Sequence, residues 1–202
     1  LKRFGFHISA ITKEQSSIDY ALNEGIIDEG TTELDKNIIG INIPKNIEFI
    51  ESTFVANTAI YNDKSNWTDG LLYIDNILVD TEMYSSESEY IIKDGTERIA
   101  SSVFSECMDL EKGVIPESVK YIGSSAFSFC PNLKEVKLPT SLKEISDYLF
   151  SGCESLEKIV LPENIEIIGE SAFSYCSSLT EIIIPEKVKT IGSFAFYDCS
   201  GL

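Results

Sequence analysis

The sequence has 202 residues, and its 33 Asp and Glu outnumber its 16 Lys and Arg, which gives a net charge of −17. Because nucleic acid and anionic lipid bind proteins through clustered Lys and Arg, this balance argues against both as partners. The hydrophobic share of 43% is typical of a folded chain, and no apolar run approaches the roughly 18 residues of a membrane-spanning helix. We therefore expect a folded protein with no membrane insertion and no nucleic-acid partner.

The first segment, residues 1–38, carries no repeat and is predicted to form an N-terminal cap region with some helix. Apolar residues alternate over positions 4–8 as in a strand, whereas those over 18–22 have helical spacing before Gly25, a suitable helix C-cap. The chain starts at Leu1 without Met and without a recognisable signal peptide, so we expect a fragment or a processed chain.

The next two segments precede the regular repeats. Residues 39–61 are predicted to form a degenerate repeat, because Ile43 and the proline after it match the later units, although Thr58 stands where those units have cysteine. Residues 62–89 are predicted to form a longer, hairpin-bearing insert around the apolar run 71–79.

Part of this insert, residues 62–70, is rich in side-chain oxygens that could bind calcium. It lacks the regular Asp and Asn spacing and the final Glu of a calcium-binding loop. An ordinary turn is the favoured interpretation, and a calcium site remains the alternative.

Residues 90–202 repeat with a period of 23 residues. The period places the five cysteines at Cys107, Cys130, Cys153, Cys176 and Cys199. Phenylalanine recurs at the same interval, at Phe104, Phe127, Phe150, Phe173 and Phe196. A period of about 20 to 29 residues with the pattern Leu-x-x-Leu-x-Leu is the signature of a leucine-rich solenoid, and segments 133–138, 156–161 and 179–184 carry it.

The residue types within one repeat predict its path. Val136 and Leu138 point to the same side of a strand, and Pro139 ends that strand. The pair Ala172 and Phe173 indicates a short helical or 3-10 turn that folds the chain back. One repeat cannot bury these residues alone, so stacked repeats must share a core.

We therefore predict a leucine-rich repeat solenoid. Its parallel β-sheet receives one short strand per 23-residue repeat, with short helical or 3-10 turns on the other side. Residues 90–202 supply five regular repeats, and the whole chain forms one continuous domain. Leu202 stands at the first core position of a further strand, so we expect the stack to continue beyond it.

These repeats resemble the BspA-like, or bacterial surface antigen, type of leucine-rich repeat. The pattern of that family is similar to Ile-Pro-x-x-Val-x-x-Ile-Gly-x-x-Ala-Phe-x-x-Cys, and residues 184–199 read IPEKVKTIGSFAFYDC. The resemblance covers about residues 90–202. It implies a secreted or cell-surface protein of bacteria, or of some parasitic protists, that adheres to host matrix proteins or to other cells.

Three roles are open to the cysteine ladder. Equivalent residues of neighbouring repeats lie about 4.8 Å apart with parallel Cβ vectors, which disfavours disulfides. A ladder also holds thiolates in a line, whereas zinc requires tetrahedral ligands, and the one histidine, His7, lies outside the repeats. We predict buried free thiols that pack as small hydrophobic side chains.

The sequence contains no recognisable catalytic constellation. The chain has one histidine, His7, so no Ser-His-Asp or Cys-His arrangement can be recognised among several candidates. His7 itself is interpreted as structural or solvated. Gly123, Gly169 and Gly192 recur at the repeat phase and are interpreted as turn glycines, not as a phosphate-binding loop. We expect no enzyme, no cofactor and no bound metal.

Strand residues between the core positions are predicted to face outward in two parallel rows. The charged row comprises Lys112, Glu135, Lys158 and Glu181. The mostly apolar row comprises Val114, Lys137, Val160 and Ile183. Such rows suit an extended protein ligand, although β-branched residues also favour exposed strand positions without any ligand.

The rows and the resemblance together predict a protein-protein interaction solenoid that serves as an extracellular or cell-surface adhesion or recognition module. The expected partner is a protein ligand, such as host matrix or another cell surface. The alternative is a non-catalytic targeting or spacer segment of a larger secreted enzyme, and a third interpretation is a structural stalk. The sequence leaves the ligand and the oligomeric state open.

Overall fold

The computed structural model describes residues 9–11, 29–31, 51–56, 58–82 and 87–202. The chain divides into two compact units, Leu1–Glu48 with Thr58–Asn62 and Phe49–Asn57 with Asp63–Leu202. In the first unit, β1 (Ser9–Ile11) pairs in parallel with β2 (Glu29–Thr31), and one α-helical turn spans Ala59–Asn62. The helix predicted before Gly25, His7 and the first half of the degenerate repeat lie outside the described residues.

The second unit starts with short elements that lead into a hairpin. Two 3-10 turns span Ser52–Val55 and Lys64–Asn66. The strands β3 (Trp67–Thr68), β4 (Leu71–Ile74) and β5 (Ile77–Thr81) then form an antiparallel sheet. A tight turn joins β4 to β5, and Asp75 adopts a positive φ of 53° in it, a conformation that Asp tolerates better than most residues.

Two parallel ladders run through the repeats. The first joins β6 (Glu89–Ile91), β8 (Lys112–Val114) and β10 (Glu135–Lys137), and a further bridge pairs Lys158 with Glu181. The second joins β5 to β7 (Arg98–Ile99) and β9 (Tyr121–Ile122), and then β11 (Glu144–Ile145) to β12 (Ile167–Ile168) and β13 (Thr190–Ile191). From β6 onward, paired residues are 23 positions apart. The predicted leucine-rich repeat solenoid is therefore confirmed, and a second short strand accompanies the predicted one.

The second ladder is interrupted between β9 and β11 by a serine. In three other repeats, a glycine N–H donates to the isoleucine carbonyl of the preceding repeat at 2.7–2.9 Å, at Gly123, Gly169 and Gly192. The backbones lie so close there that a Cβ on Gly123 would collide with the Ser101 nitrogen. Ser146 occupies the equivalent position, and its hydroxyl donates to the Ile122 carbonyl. These glycines thus permit close backbone contact between repeats, and they do not adopt the positive φ of turn glycines.

One continuous core lies inside the ladders. Its phenylalanine rings stack with centroid separations of 5.0–5.7 Å, in the order Phe104, Phe127, Phe150, Phe173 and Phe196. The leucine that begins each strand segment is buried beside them, as Leu133, Leu156 and Leu179 show. The period of 23 residues therefore reflects the requirement that each side chain meets its counterpart in the next repeat.

The remaining side of each repeat consists of turns. Ser125 and Ser171 adopt φ values of 58° and 51°, which are incompatible with a right-handed helix. The short helical or 3-10 turns predicted for this side are therefore replaced by non-helical turns throughout residues 87–202. Backbone hydrogen bonds join these turns between repeats, as from the Phe127 N–H to the Leu149 carbonyl at 3.1 Å. We define the turn face by five segments: 101–110, 124–133, 147–156, 170–179 and 193–202.

Candidate interaction surface

The eight outward residues predicted from the sequence lie together on the first ladder, and we call this surface the strand face. Its register pairs Lys112 with Glu135 and Val114 with Lys137. Lys112 and Val114 are half-buried, and the other six are exposed: Glu135, Lys137, Lys158, Val160, Glu181 and Ile183. The strands β8 and β10 and the bridge between Lys158 and Glu181 place them there, because alternate residues of an extended segment point to opposite sides.

Two further residues extend the strand face and were missed in the sequence. Glu89 pairs with Lys112, and Ile91 pairs with Val114 and is 69% exposed. Each stands 23 positions before its partner. The period could therefore have identified both, had the rows been extended by one repeat towards the N-terminus.

The charged row alternates in sign and is neutralised by its own residues. The Lys112 ammonium lies 3.9 Å from a Glu89 carboxylate oxygen and 3.8 Å from one of Glu135. The Lys158 ammonium lies 3.9 Å from a Glu181 carboxylate oxygen. All these groups are partly or largely exposed to solvent, so each pair contributes at most about 1 kcal/mol to stability. The row therefore presents little net charge to a ligand.

The second row presents exposed apolar side chains beside the charged one. Val160 is 84% exposed and Ile183 is 75% exposed. Lys137 interrupts the row, and its ammonium lies 3.7 Å from a Glu117 carboxylate oxygen. The pKa of Glu117 is lowered mainly because the backbone N–H and the hydroxyl of Thr140 donate to that carboxylate. Glu117 thus remains ionised beside the row.

The cysteines form a separate, internal ladder and are all free thiols. Cys130, Cys153, Cys176 and Cys199 are buried, whereas Cys107 is half-buried. Each of the buried thiols donates to a phenylalanine carbonyl 26 positions earlier, as Cys153 does to Phe127 at 3.1 Å. Burial raises the pKa of Cys107 to about 11 and that of Cys130 to about 12. This ladder supports the core and offers no reactive group at the strand face.

Other groups considered as chemical sites do not form one within the described part of the chain. No cluster of three or more His, Cys, Asp or Glu with metal-binding geometry occurs there. In the oxygen-rich segment 62–70, Asp63 caps a 3-10 turn by accepting the Ser65 N–H at 2.9 Å, and Asp69 and Gly70 form a turn with positive φ. The described residues also contain no helix with the length and hydropathy of a membrane span.

The repeated coil, its parallel ladders and its outward rows define a leucine-rich repeat solenoid. A family model matches residues 85–202 with six copies, and the chain belongs to that family, the BspA type leucine rich repeat region. The resemblance seen in the sequence is therefore confirmed. None of the curated proteins with which the chain was compared is significantly similar to it.

Crystal structures of bacterial proteins share the fold. A leucine rich cell surface protein of Faecalibacterium prausnitzii is 34% identical with a TM-score of 0.62, and the match covers 67% of this chain and 37% of that one. The leucine rich repeat protein of T. pallidum is 35% identical with a TM-score of 0.59, over 62% and 60% of the two chains. The pneumococcal vaccine antigen PcpA is 25% identical with a TM-score of 0.58, over 65% and 34%. The chain thus spans about a third to three fifths of the length of these relatives.

Proposed function

We propose that this chain is a protein-interaction module whose strand face binds an extended segment of another protein. The observation that carries the proposal is the exposure of Val160 and Ile183, neighbouring apolar side chains that add nothing to the core. Burial of such side chains against a partner is favourable by about 25 cal/mol per Å² of apolar surface. Membership of a repeat family whose solenoids generally bind proteins supports it.

The expected binding site combines an apolar row with a self-neutralised charged row. A partner strand or extended loop would place apolar side chains over Val160 and Ile183 and polar groups along the row that contains Lys158. The strand face holds Lys and Glu in balance although the whole chain has a net charge of −17. A partner can therefore approach this surface without strong dependence on its own charge.

We propose a secreted or cell-surface location and a role in adhesion or recognition. Support comes from the cell surface protein of Faecalibacterium prausnitzii, which shares 34% identity with the chain, and from the vaccine antigen PcpA, which shares 25%. Residues 90–202 form the binding array in this proposal, with residues 1–38 as cap, 39–61 as a degenerate repeat and 62–89 as insert. No catalytic role is assigned to the chain.

The test is direct binding to immobilised extracellular matrix proteins and to intact cells, with a double variant of the strand face. Val160→Asp with Ile183→Asp should weaken binding by at least about tenfold, because two desolvated apolar contacts become charged. Thermal unfolding should change little, since both side chains are exposed.

A matched control lies on the second ladder. Ile167 is also an exposed isoleucine, and Thr190 is its exposed neighbour in register. The double variant Ile167→Asp with Thr190→Asp adds the same charge outside the strand face and should bind like the unmodified protein. Equal binding by all three proteins would favour a stalk and contradict the proposal.

A further inference from the structure

The turn face carries a second surface, made of large aromatic side chains on an unfavourable backbone. Phe129, Tyr148 and Tyr175 adopt φ values of 55°, 58° and 61°. A positive φ is uncommon for any residue with a side chain and is a genuine outlier for bulky ones. All three have a further repeat stacked after them and still remain 40–55% exposed, so their rings are not required by the core.

Equivalent positions in the same chain show what the fold alone requires. In the register of Tyr148, the neighbouring repeats have Ser125 and Ser171, also with positive φ. In the register of Tyr175, the preceding repeat has Gly152, with a φ of 75°. Small residues therefore satisfy both turns, and the aromatic residues add exposed apolar surface that the turns do not require.

Three of the rings contact one another near the C-terminal end of the array, and the Phe129 ring lies over the next turn. The Tyr175 and Tyr197 rings meet edge to face with centroids 5.5 Å apart, and Phe194 meets Tyr197 in the same way at 5.7 Å. The Phe129 ring covers Gly152, since a Cβ at that glycine would lie 2.8 Å from Phe129 Cδ1. Backbone hydrogen bonds, such as that from the Tyr175 N–H to the Tyr197 carbonyl at 2.8 Å, hold these turns in register.

The charge of this surface differs from that of the strand face. The five segments of the turn face contain six Asp and Glu but no Lys, Arg or His. The rest of residues 90–202 holds ten Lys and Arg against eleven Asp and Glu. One carboxylate, that of Glu170, accepts the Tyr148 hydroxyl at 2.8 Å, so it lies directly beside an exposed ring. The net charge of the repeats is therefore concentrated where the rings are exposed.

We propose that the turn face is a second docking surface and that its partner is an extended, Arg- and Lys-rich protein segment. Guanidinium and ammonium groups are attracted to the faces of aromatic rings, and a carboxylate beside a ring, such as that of Glu170 beside Tyr148, can pair with the same cation. The turn face also has no Lys, Arg or His that would repel a basic segment. This surface is separate from the strand face, so the inference holds whether or not the strand face binds a ligand.

The experiment measures binding of a fluorescein-labelled nona-arginine peptide to the full chain by fluorescence anisotropy at 150 mM salt. The test variant is Tyr148→Ser with Tyr175→Gly, which introduces the residues already found at the neighbouring repeats and leaves the net charge unchanged. Its affinity for the peptide should be about tenfold lower, because two ring contacts are lost. Its Tm should stay within about 3 °C of the unmodified protein, because glycine relieves the backbone strain at position 175 and only exposed contacts are removed.

The control is Val160→Ser with Ile183→Ser, which alters the strand face without changing charge and should bind the peptide like the unmodified protein. Equal affinity of the test variant and the unmodified protein would show that binding is a general effect of acidity, and it would overturn the proposal. Absence of saturable binding by the unmodified protein at 150 mM salt would overturn it as well. Loss of peptide binding in the strand-face control would also contradict it, because the site would then lie on the other surface.

Discussion

Each buried cysteine fills a place in its repeat that neither alanine nor serine would fill equally well. The Cys153 thiol is buried beside the phenylalanine stack, and its S–H donates to the Phe127 carbonyl at 3.1 Å. Alanine would leave both a small cavity and an unpaired carbonyl, whereas serine would bury a more polar group. The recurrence of cysteine is therefore explained by packing together with a weak hydrogen bond.

These positions predict how the thiols react. At pH 8, a thiol-specific reagent should label Cys107 first and slowly, because it is half-buried and a pKa of about 11 leaves about one thiolate in a thousand. Cys130 and Cys176, with pKa values of about 12, should react only when the protein unfolds. The measurement is mass spectrometry of labelled peptides with and without denaturant. Rapid native labelling of several cysteines would contradict the buried ladder.

At the scale of single residues, the sequence predicts side-chain direction well and exposure less well. Alternation in a strand is enough to place Val160 and Ile183 outside and Ile159 inside. It does not reveal that Cys107 is only half-buried, since that depends on the irregular hairpin unit before it. Nor does it reveal the positive φ of Tyr148, because an aromatic residue in a turn gives no local signal for that conformation.

The phenylalanine stack is the element that joins one repeat to the next. Phe150 is fully buried between Phe127 and Phe173, with ring centroids 5.7 and 5.5 Å away. Phe196 stacks on Phe173 alone at 5.5 Å and is half-buried. The same residue type therefore occupies two environments that differ in the number of stacked neighbours.

This difference predicts unequal effects of the same substitution. Phe150→Ala should lower the free energy of unfolding by about 4 kcal/mol, because it opens a ring-sized cavity between two repeats. Phe196→Ala is the matched control and should cost about half as much, because part of that ring is already in water. Urea unfolding followed by circular dichroism measures both. Equal losses would show that the stack does not transmit stability between repeats.

At the scale of elements, the 23-residue period predicts the first ladder and the common core. The second ladder is harder to predict, because its strands, such as β9 and β12, have only two residues each. Its interruption at Ser146 follows from one hydroxyl that donates to the Ile122 carbonyl. That detail depends on how closely two backbones approach, and the pattern of apolar residues does not encode this distance.

Two properties describe the repeat array as a whole: its contacts join neighbouring repeats, and its two surfaces differ in charge. Each repeat contacts the one before and the one after, so its stability is set by its neighbours. The strand face is balanced in charge, whereas the turn face carries carboxylates without cations. The 23-residue period fixes the core positions, whereas the outward positions can vary from repeat to repeat. The same array can therefore present two surfaces of different chemistry.

Nearest-neighbour stability predicts a gradient of hydrogen exchange along the array. Ile168 is fully buried, whereas its counterpart Ile191 is 51% exposed. The Phe150 amide, which donates to the Ala172 carbonyl of the next repeat at 2.8 Å, should exchange at least about tenfold more slowly than the Tyr197 amide, whose bond to Phe194 lies within its own turn. Hydrogen exchange followed by mass spectrometry measures this gradient. Uniform protection from residue 122 to residue 202 would show instead that the repeats unfold together, since opening would then require the entire array.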